Sequence, residues 1–414
     1  MGPGEAAARA DADRAVLVVP IVPAASGNGL AMRAGMVLDA LAARYAVDLV
    51  IVPVSGPVGD RSWAEGHARS VLVVDPAGAG DARAHVIAQL ADPILRERLQ
   101  ATAPLPTRAT LAPPTLADEI VGRSPALAPP RVVWVLRGYL APLGITLARR
   151  LGAPRVVVDV DDDDEAVARA AGDDADADAF GRLSRAWLPD ADIVCGAAHA
   201  EVRGMAARHG LRRVAVLPNA VRLPADPGPP PGDERLLFVG NLTYAPNQEA
   251  ARVLADEVLP LVRRGHPAAS VDLVGPHDRT LRGGEHVRVA GMVGDLAPWY
   301  AAADVVVVPL RRGGGTRIKV LEAFAHRRAV VATPVAVAGL ELRDGRDVLV
   351  GRSSEALAGA VGELLDDPSR RERLARHAYR TLTARYVHDV VAPLVRGLAE
   401  GAPVEAARGE SEQR

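Results

Sequence analysis

Short, unbroken apolar runs recur along the chain, and most are followed by a turn and then by a segment of helical periodicity. The first pair is the run 15–23 with the stretch 30–45, whose apolar residues from Leu30 to Leu41 fall on one helical face. Apolar runs without alternation are typical of parallel strands covered on both faces, and the intervening helices indicate βαβ units. The predicted strands of this half lie at 15–23, 47–54, 70–76, 131–136, 154–160, 191–196 and 214–219.

The pattern breaks at 223–234, where "LPADPGPPPGDE" contains five prolines and little that a core could bury. This composition predicts an interdomain linker. Beyond it the strand–helix alternation restarts, so we predict an α/β protein with two doubly wound domains of similar size. The predicted strands here are 235–240, 270–275, 287–293, 304–310 and 328–334, and the predicted helices lie near 247–264, 296–302, 316–325, 354–366 and 368–385.

Domain boundaries follow from these breaks. The segment 77–130 is rich in Ala, Pro, Arg and Thr, and we predict a variable insertion with one helix near 81–100 and otherwise loop. The helix predicted over 386–402 would be free to pack back on the first domain. The predicted boundaries are a disordered N-terminus at 1–13, a first domain at 14–222, the linker at 223–234, a second domain at 235–385, the C-terminal helix at 386–402 and a disordered tail at 403–414.

Composition narrows the class of protein. A formal net charge of −2 over 414 residues provides no field to attract nucleic acid or an anionic membrane. The single cysteine, Cys195, cannot form an internal disulfide, which suits a reducing cytoplasm. The N-terminus lacks the features of a secretory signal, and no apolar run is long enough to span a bilayer. We therefore expect a cytoplasmic protein without a transmembrane segment or a nucleic-acid partner; peripheral membrane contact stays open.

One loop carries an unusual residue. Lys319 is the only lysine of the chain, since arginine supplies the rest of the 49 basic residues, and it stands four residues after a triple glycine. The loop follows the predicted strand 304–310, and glycines let a backbone approach a ligand closely. The residues Gly313, Gly314, Gly315 and Thr316 are therefore candidates for binding a ligand.

The start of the next helix places positive charge where it is unfavourable. We predict Thr316 as the N-cap, with Arg317 and Lys319 in the first turn, where the helix dipole disfavours cations. A bound anion would remove this conflict. An i, i+3 salt bridge from Lys319 to Glu322 is one explanation; the other assigns Arg317 and Lys319 to phosphates and Glu322 to sugar hydroxyls. The motif G-x-x-x-x-G-K-[ST] of ATPases and GTPases is absent.

A second glycine loop follows the first predicted strand. Gly27, Asn28 and Gly29 precede a helix, and backbone N–H groups at such a position bind anions. Met32 stands where the third glycine of G-x-G-x-x-G is expected, so the dinucleotide fingerprint is incomplete and a nicotinamide dehydrogenase is disfavoured. A tight turn is the alternative explanation of these glycines.

An acidic run follows the strand 154–160. Asp159 and Asp161 form a D-x-D that could hold a divalent cation, but a second acidic run at 173–178 favours an exposed surface. Four successive aspartates from Asp161 repel one another, so they must be exposed or neutralised. A carboxylate at the end of a strand, facing a cleft, is the better functional candidate, and we choose Asp161.

Three stretches resemble the group 1 glycosyltransferases of the GT-B fold, a retaining family, and are most similar to its exopolysaccharide-associated subgroup. The resemblance covers 130–390 well, 15–54 weakly and 77–130 poorly. It implies two Rossmann-like domains that face each other across a cleft, the first on the acceptor side and the second binding a nucleotide-sugar donor. The stretches are "VAVLPNAV" at 214–221, "LLFVGNLTYAPNQEAARVLADEVLPLV" at 236–262 and "VAGMVGDLAPWYAAADVVVVPLRRGGGTRIKVLEAFAHRRAVVATPVAVAGLEL" at 289–342.

The resemblance implies roles for single residues. Glu322 matches the second glutamate of the family's Glu-x7-Glu motif and would bind the ribose, whereas Gly314 stands where the first glutamate is expected. Asn241 and Asn247 occupy the loop where relatives carry a basic pair, so Arg317 and Lys319 become the diphosphate partners. At Asp161 and Asp162 relatives often carry a His-Asp pair. The predicted catalytic residues are Asp161, Lys319, Arg317 and Glu322, and the predicted donor-binding residues are Gly27, Asn28, Gly29, Gly240, Asn241, Met292, Val293, Gly313, Gly314, Gly315, Thr316, Arg317, Lys319 and Glu322.

The resemblance implies transfer of a sugar from a nucleotide-diphosphate sugar to an acceptor hydroxyl, in polysaccharide, glycolipid or glycoconjugate biosynthesis. The acceptor would be a saccharide, a lipid-linked molecule or a small molecule. GT-B enzymes generally need no bound metal, so we expect neither a metal nor a cofactor besides the donor. A nucleotide-sugar epimerase of the same fold and a non-catalytic nucleotide-sugar-binding protein remain as alternatives.

Overall fold

The computed structural model describes residues 13–74, 105–123, 129–225, 228–278, 280–313 and 317–402. The chain divides into two compact units. Unit 1 runs to Pro218 and includes the chain from Val391 onwards, and unit 2 consists of Asn219–Gly313 and Arg317–Val390.

Unit 1 is built on a seven-stranded parallel sheet in the order β3-β2-β1-β4-β5-β6-β7. Every residue of its strands β2, β4, β5 and β6 is buried, as strands covered on both faces require. The strands are β1 Arg14–Val19, β2 Ala46–Ile51, β3 Ser70–Val73, β4 Val132–Leu136, β5 Val156–Asp161, β6 Ile193–Gly196 and β7 Val214–Val216. The helices are α1 Gly29–Ala42, α2 Ser62–His67, α3 Thr107–Leu111, α4 Leu116–Arg123, α5 Ala141–Leu151, α6 Asp164–Ala170, α7 Asp174–Trp187 and α8 His199–His209, with 3-10 turns at Gly138–Leu140 and Leu188–Asp190.

Unit 2 is built on a six-stranded parallel sheet in the order β10-β9-β8-β11-β12-β13. Its first helix, α9, contains a π-helical segment at Val253–Val258 between Ala245–Arg252 and Leu259–Val262. The strands are β8 Arg235–Val239, β9 Ser270–Val274, β10 Val287–Ala290, β11 Val305–Val308, β12 Ala329–Ala332 and β13 Leu349–Val350. The remaining helices are α10 Ala297–Ala302, α11 Ile318–Ala325, α12 Pro334–Val337, α13 Ser354–Asp366, α14 Pro368–Arg385 and α15 His388–Glu400, the last of which ends in unit 1.

The predicted fold class is confirmed, because each predicted strand appears in one of two parallel, doubly wound sheets. The prediction of loop after residue 100 was wrong for α3 and α4, whose Ala109, Leu116 and Ile120 enter the core of unit 1. The helix predicted from Thr316 begins at Ile318 instead, with Arg317 as its N-cap residue. The predictions for 1–13, 81–100 and 403–414 fall almost wholly outside the described residues.

The Pro-rich stretch 223–234 lies within unit 2, apart from two residues outside the described ranges. The Gly232 N–H donates to Asp304 Oδ1 at 2.9 Å, and Arg328 Nη1 donates to the Gly228 carbonyl at 3.0 Å. Both anchoring side chains are buried. This stretch is therefore tied to the sheet of unit 2 at two points.

Strand order reverses once in each sheet. In unit 1 the reversal lies between β1 and β4, and in unit 2 it lies between β8 and β11. In open parallel sheets, ligands bind beyond the carboxyl ends of the strands at such a reversal. The loops after β8 and β11 are therefore the first place to look for a binding site in unit 2.

Candidate functional site

The ends of β8 and β9 approach each other closely at two glycines. Gly275 has φ +139°, and a Cβ there would lie 1.9 Å from the Gly240 carbonyl oxygen, so no larger residue fits. The loop after Gly240 then turns sharply, since Asn241 Oδ1 accepts hydrogen bonds from the Thr243 N–H and hydroxyl at 3.0 and 2.7 Å. This turn delivers Asn247 into the first helical turn of α9.

Lys319 lies at the start of α11, the helix that follows the loop after β11, and its side chain contacts α9. It is the second residue of α11, and its Nζ donates to Asn247 Oδ1 at 2.9 Å. The ammonium also lies 5.8 Å from the centroid of the buried Phe238 ring. Within the described ranges, no carboxylate oxygen lies within 4.0 Å of this Nζ, so the salt bridge to Glu322 that we considered is not formed.

The environment of Lys319 is unfavourable for a charge. Burial, followed by the repulsion from Arg317, lowers the pKa of Lys319 to about 8, while Glu322 opposes the shift. At pH 7 the ammonium remains mostly protonated. It has three N–H donors, and one of them donates to a neutral amide. A partly desolvated cation with further N–H donors suits the binding of an anion.

Glu322 lies one turn further along α11 and contacts Tyr300, which is one member of a stacked aromatic pair. The hydroxyl of Tyr300, which is fully buried, donates to Glu322 Oε2 at 3.5 Å. The Tyr300 ring stacks on His326 with centroids 4.4 Å apart and planes 8° apart. Burial raises the pKa of Glu322 to about 7, against the opposing effects of Tyr300 and Lys319. At neutral pH this carboxyl group is therefore about half protonated.

We expect Glu322→Gln to stabilise the protein at pH 8 and to leave its stability nearly unchanged at pH 4.5. The folded-state pKa of about 7 exceeds the ordinary 4.5, so folding takes up a proton between these values. The stability linked to the protonated carboxyl is full below pH 4.5 and is lost as the pH rises through 7. The neutral amide of the variant does not lose this stability, so at pH 8 its free energy of unfolding should exceed that of the wild type by roughly 1–3 kcal/mol, after allowance for solvent. Urea unfolding of both proteins at pH 4.5, 6 and 8 measures this, and a pH-independent difference contradicts it.

The other predicted residues of unit 2 are distributed around these two side chains. Gly313 has φ +113°, and a Cβ added to it would lie 3.2 Å from the Cβ of Pro246. This glycine therefore lies beside the start of α9. Arg317 Nε donates to the Ala338 carbonyl at 3.2 Å. Met292 is 80% exposed, the largest exposure among the large hydrophobic residues that the structure describes. Gly314, Gly315 and Thr316 lie outside the described residues. The prediction of Thr316 as the N-cap was wrong, because Arg317 occupies the N-cap position.

The glycine loop of unit 1 is engaged in capping. Asn28 Oδ1 accepts from the backbone N–H groups of Leu30 and Ala31 at 2.9 and 3.4 Å, and Gly27 has φ +99°. The N–H groups that we expected to be available to an anion are thus partly occupied by this side chain. The geometry of Gly27, Asn28 and Gly29 matches the tight turn that we considered as the alternative.

Asp161 lies inside an ion-pair network. Asp159 is fully buried and pairs with Arg33 at 2.7 Å, and Arg33 Nε also lies 3.5 Å from Asp161 Oδ1. Asp161 Oδ2 lies 3.3 Å from Arg137 Nη1. Arg137 further pairs with Asp162 at 2.9 Å and with Asp164. The exposed acidic surface that we considered is therefore wrong for this run, which is neutralised by arginines, and Asp161 is only 1% exposed.

Sequence reasoning missed Arg33, Arg137, Tyr300 and the role of Asn247. Arg33 carried a signal, because an arginine stands three residues after Leu30, beside the apolar face predicted for 30–45. Arg137 and Asp161 have left-handed backbones, with φ +80° and +60°, which sequence patterns do not reveal. Such strain costs about 1–3 kcal/mol and persists only where surrounding contacts enforce it.

The described part of the chain contains neither a metal-binding cluster nor a membrane-spanning helix. No group of three or more His, Cys, Asp or Glu side chains in those residues could hold a metal ion. Among the same residues, no helix is long and apolar enough to cross a membrane.

The two parallel sheets match solved structures of the GT-B fold. Sucrose-phosphate synthase from Thermosynechococcus elongatus is similar with a TM-score of 0.68 and 16% identity, over 94% of this chain and 98% of that chain. HepE from Anabaena, in complex with UDP and glucose, has a TM-score of 0.65 and 12% identity, over 93% of this chain and 99% of that chain. A UDP-forming α,α-trehalose-phosphate synthase from Burkholderia xenovorans has a TM-score of 0.63 and 14% identity, over 94% of this chain and 99% of that chain.

About a third of the chain also matches a protein family. The family model described as "Glycosyl transferases group 1" matches residues 233–367, which include β8 to α13 and both Lys319 and Glu322. No curated protein matches the sequence. The chain thus has the GT-B fold, and its residues 233–367 match the group 1 glycosyltransferase family.

Proposed function

We propose that the protein transfers a sugar from a nucleotide-diphosphate sugar, and that unit 2 holds the donor with Lys319 and Glu322. Lys319 would bind the diphosphate, together with Arg317, and Glu322 would accept hydrogen bonds from the ribose. The observation that carries the proposal is the partly buried Lys319 ammonium, whose single hydrogen-bond partner among the described residues is the neutral Asn247 amide. This ammonium stands at the strand reversal of a group 1 domain. HepE, which has a similar structure, binds UDP and glucose in one structure and UDP-glucose in another, which adds support.

Positive charge at this position would act on the leaving group. In the transfer, the bond between the sugar's anomeric carbon and the diphosphate oxygen breaks, and a bond to the acceptor hydroxyl oxygen forms. The electron pair of the broken bond stays on the diphosphate, and the hydroxyl proton leaves with that anion or with a nearby base. A fixed cation beside the leaving oxygens stabilises the transition state without reorganisation.

The remaining roles follow from the positions of the residues in the two sheets. Met292, Val293, Gly240 and Asn241 lie on loops after β8 and β10 of unit 2, the sheet edge where ligands bind in this class of fold. Asp161 is assigned to the acceptor side, where its ion pairs with Arg33 and Arg137 would hold the carboxylate in place. We assign acceptor binding to 14–222 and donor binding to 235–385, with a saccharide, a lipid-linked molecule or a small molecule as acceptor. A cytoplasmic location is supported by the single cysteine, Cys195.

A panel of nucleotides and nucleotide sugars, screened by thermal shift, tests the donor class. A ligand present at about 100 times its dissociation constant adds about 2.7 kcal/mol to the free energy of unfolding. We expect nucleoside diphosphates and their sugars to stabilise the protein, and the corresponding monophosphates to stabilise it much less, because Lys319 contacts the diphosphate. A panel without any stabilising nucleotide contradicts the proposal. Conversion of a bound donor without a transfer product indicates an epimerase, and binding without any conversion indicates a binding protein.

A further inference from the structure

The amide of Asn247 is held in one orientation by contacts on both sides. Its Nδ2 donates to the Asn241 carbonyl at 2.9 Å, which leaves Oδ1 facing the Lys319 Nζ at 2.9 Å. The side chain is 7% exposed, and a Cβ on Gly240 would lie 3.1 Å from its Nδ2. Because the amide cannot turn over without losing the Asn241 contact, its oxygen is the acceptor that Lys319 meets.

The chemistry of this acceptor matters because it is neutral. An aspartate of nearly the same shape would also accept from Lys319, but it would form an ion pair and satisfy the charge of the ammonium. The other groups that face Lys319 are Arg317, which repels it, the Phe238 ring, and Glu322, which attracts it from one turn away without pairing. Asn247 therefore fixes the direction of the ammonium while its charge stays available.

We propose that Asn247 is a positioning residue, which orients Lys319 toward a diphosphate and, as a neutral acceptor, leaves the ammonium charge for that ligand. The proposal rests on the assignment of Lys319 to the diphosphate. It extends that assignment to the partner helix, because Asn247 and Lys319 belong to α9 and α11 on the two sides of the strand reversal. It also gives a reason for glycine at 240, where a side chain would displace the amide.

The test uses the fact that Lys319 is the only lysine. Labelling the protein with lysine enriched in ¹³Cε gives one side-chain signal, whose pH titration reports the Lys319 pKa directly. We expect about 8 in the wild type. In Asn247→Asp we expect a Lys319 pKa of roughly 9 or above, because an opposite charge in contact raises a lysine pKa by about 1 or more. Gln248→Glu adds the same charge one residue along α9, beside Asp278 and Thr280, and should move the signal less.

Inorganic pyrophosphate is the binding probe, since it carries the diphosphate chemistry without a base or a sugar. Its addition should shift the Lys319 signal of the wild type, and Asn247→Asp should weaken its binding about tenfold. Asn247→Ala, which frees the ammonium to reorient, should weaken binding by a smaller factor. Melting temperatures serve as the folding control. We expect Asn247→Asp to stay folded but to melt below the wild type, because a carboxylate oxygen replaces the Nδ2 that donates to the Asn241 carbonyl. Asn247→Ala loses the same hydrogen bond and therefore controls for it.

The outcomes separate this inference from the proposed function. Equal pyrophosphate affinity in the wild type and Asn247→Asp overturns the role of Asn247, even if nucleotide sugars bind. A wild-type signal that pyrophosphate does not shift overturns it as well. If no nucleotide sugar binds in the panel while pyrophosphate binding depends on Asn247 as described, the proposed donor is wrong and the positioning of Lys319 by Asn247 still holds.

Discussion

Replacing Lys319 by alanine is expected to lower turnover by about a hundredfold or more while leaving the fold intact. Removal of one preorganised donor to a developing anion typically costs about 2.7–4 kcal/mol of activation free energy. The fold should tolerate the change, because the described contacts of the ammonium are one amide and one ring. Burial lowers the pKa of Lys319 to about 8, so below that pH the charged form weakens the folded state, and its removal should not destabilise it.

Two further substitutions make the test of Lys319 specific. Lys319→Met keeps the apolar stem and removes the charge, and it should lose activity as alanine does. Lys319→Arg keeps the charge, but its planar fork cannot copy the point charge of an ammonium, so we expect an intermediate turnover. Arg370→Ala is the matched control, since it removes an exposed cation that pairs with Glu363 on the surface of unit 2. Turnover of Lys319→Ala within about threefold of the wild type, at saturating donor, removes Lys319 from the chemistry.

The fold was accessible from the sequence because its physics is local. Parallel strands buried on both faces must be continuously apolar, so runs such as 304–310 identify themselves, and Val305–Val308 proves to be fully buried. The helices α3 and α4 escaped because each is short and Pro113 and Pro114 separate them. Their stability comes from the core that they enter, which no local pattern records.

Only part of the candidate site could be predicted from the sequence, because sequence patterns record local contacts and not remote ones. Lys319 and Glu322 share one turn of one helix, and the conflict of a cation with the helix dipole is visible in a few letters of sequence. The partners are remote in the chain. Asn247 stands 72 positions from Lys319, and Tyr300 stands 22 positions from Glu322. Which remote side chain meets a given one depends on the sheet order, which an apolar pattern does not specify.

The two strand reversals treat charge in opposite ways. In unit 1, arginines and aspartates satisfy one another: Arg33 pairs with Asp159, and Arg137 pairs with Asp162. In unit 2, Lys319 is opposed by no carboxylate within 4.0 Å among the described residues. In the unit 1 network the charges neutralise one another, whereas a cation without a carboxylate in contact attracts an anionic ligand. This difference is the reason for placing the anionic donor on unit 2.

The largest effect on stability is expected for Arg33→Ala, which should destabilise unit 1 by about 3–5 kcal/mol. Removing one partner of a buried ion pair leaves an uncompensated charge, and here Asp159 and Asp161 both lose a counter-charge. The Arg33 hydrogen bond to the Leu217 carbonyl at 3.0 Å is lost as well. Urea unfolding followed by tryptophan fluorescence measures the change, because Trp63, Trp134 and Trp187 lie in unit 1.

A matched surface pair and the pH dependence decide whether burial is the cause. Arg131→Ala breaks an exposed ion pair with Asp13, 3.0 Å long, and should cost less than about 1 kcal/mol. Burial already raises the pKa of Asp159 against the pull of Arg33, so without Arg33 this carboxyl should protonate more readily. The cost of Arg33→Ala should therefore shrink as the pH falls from 8 to 5, because a protonated Asp159 no longer carries a buried charge. An equal cost for the two arginines, or a cost that does not change with pH, would mean that the Arg33 pair behaves as a solvated one.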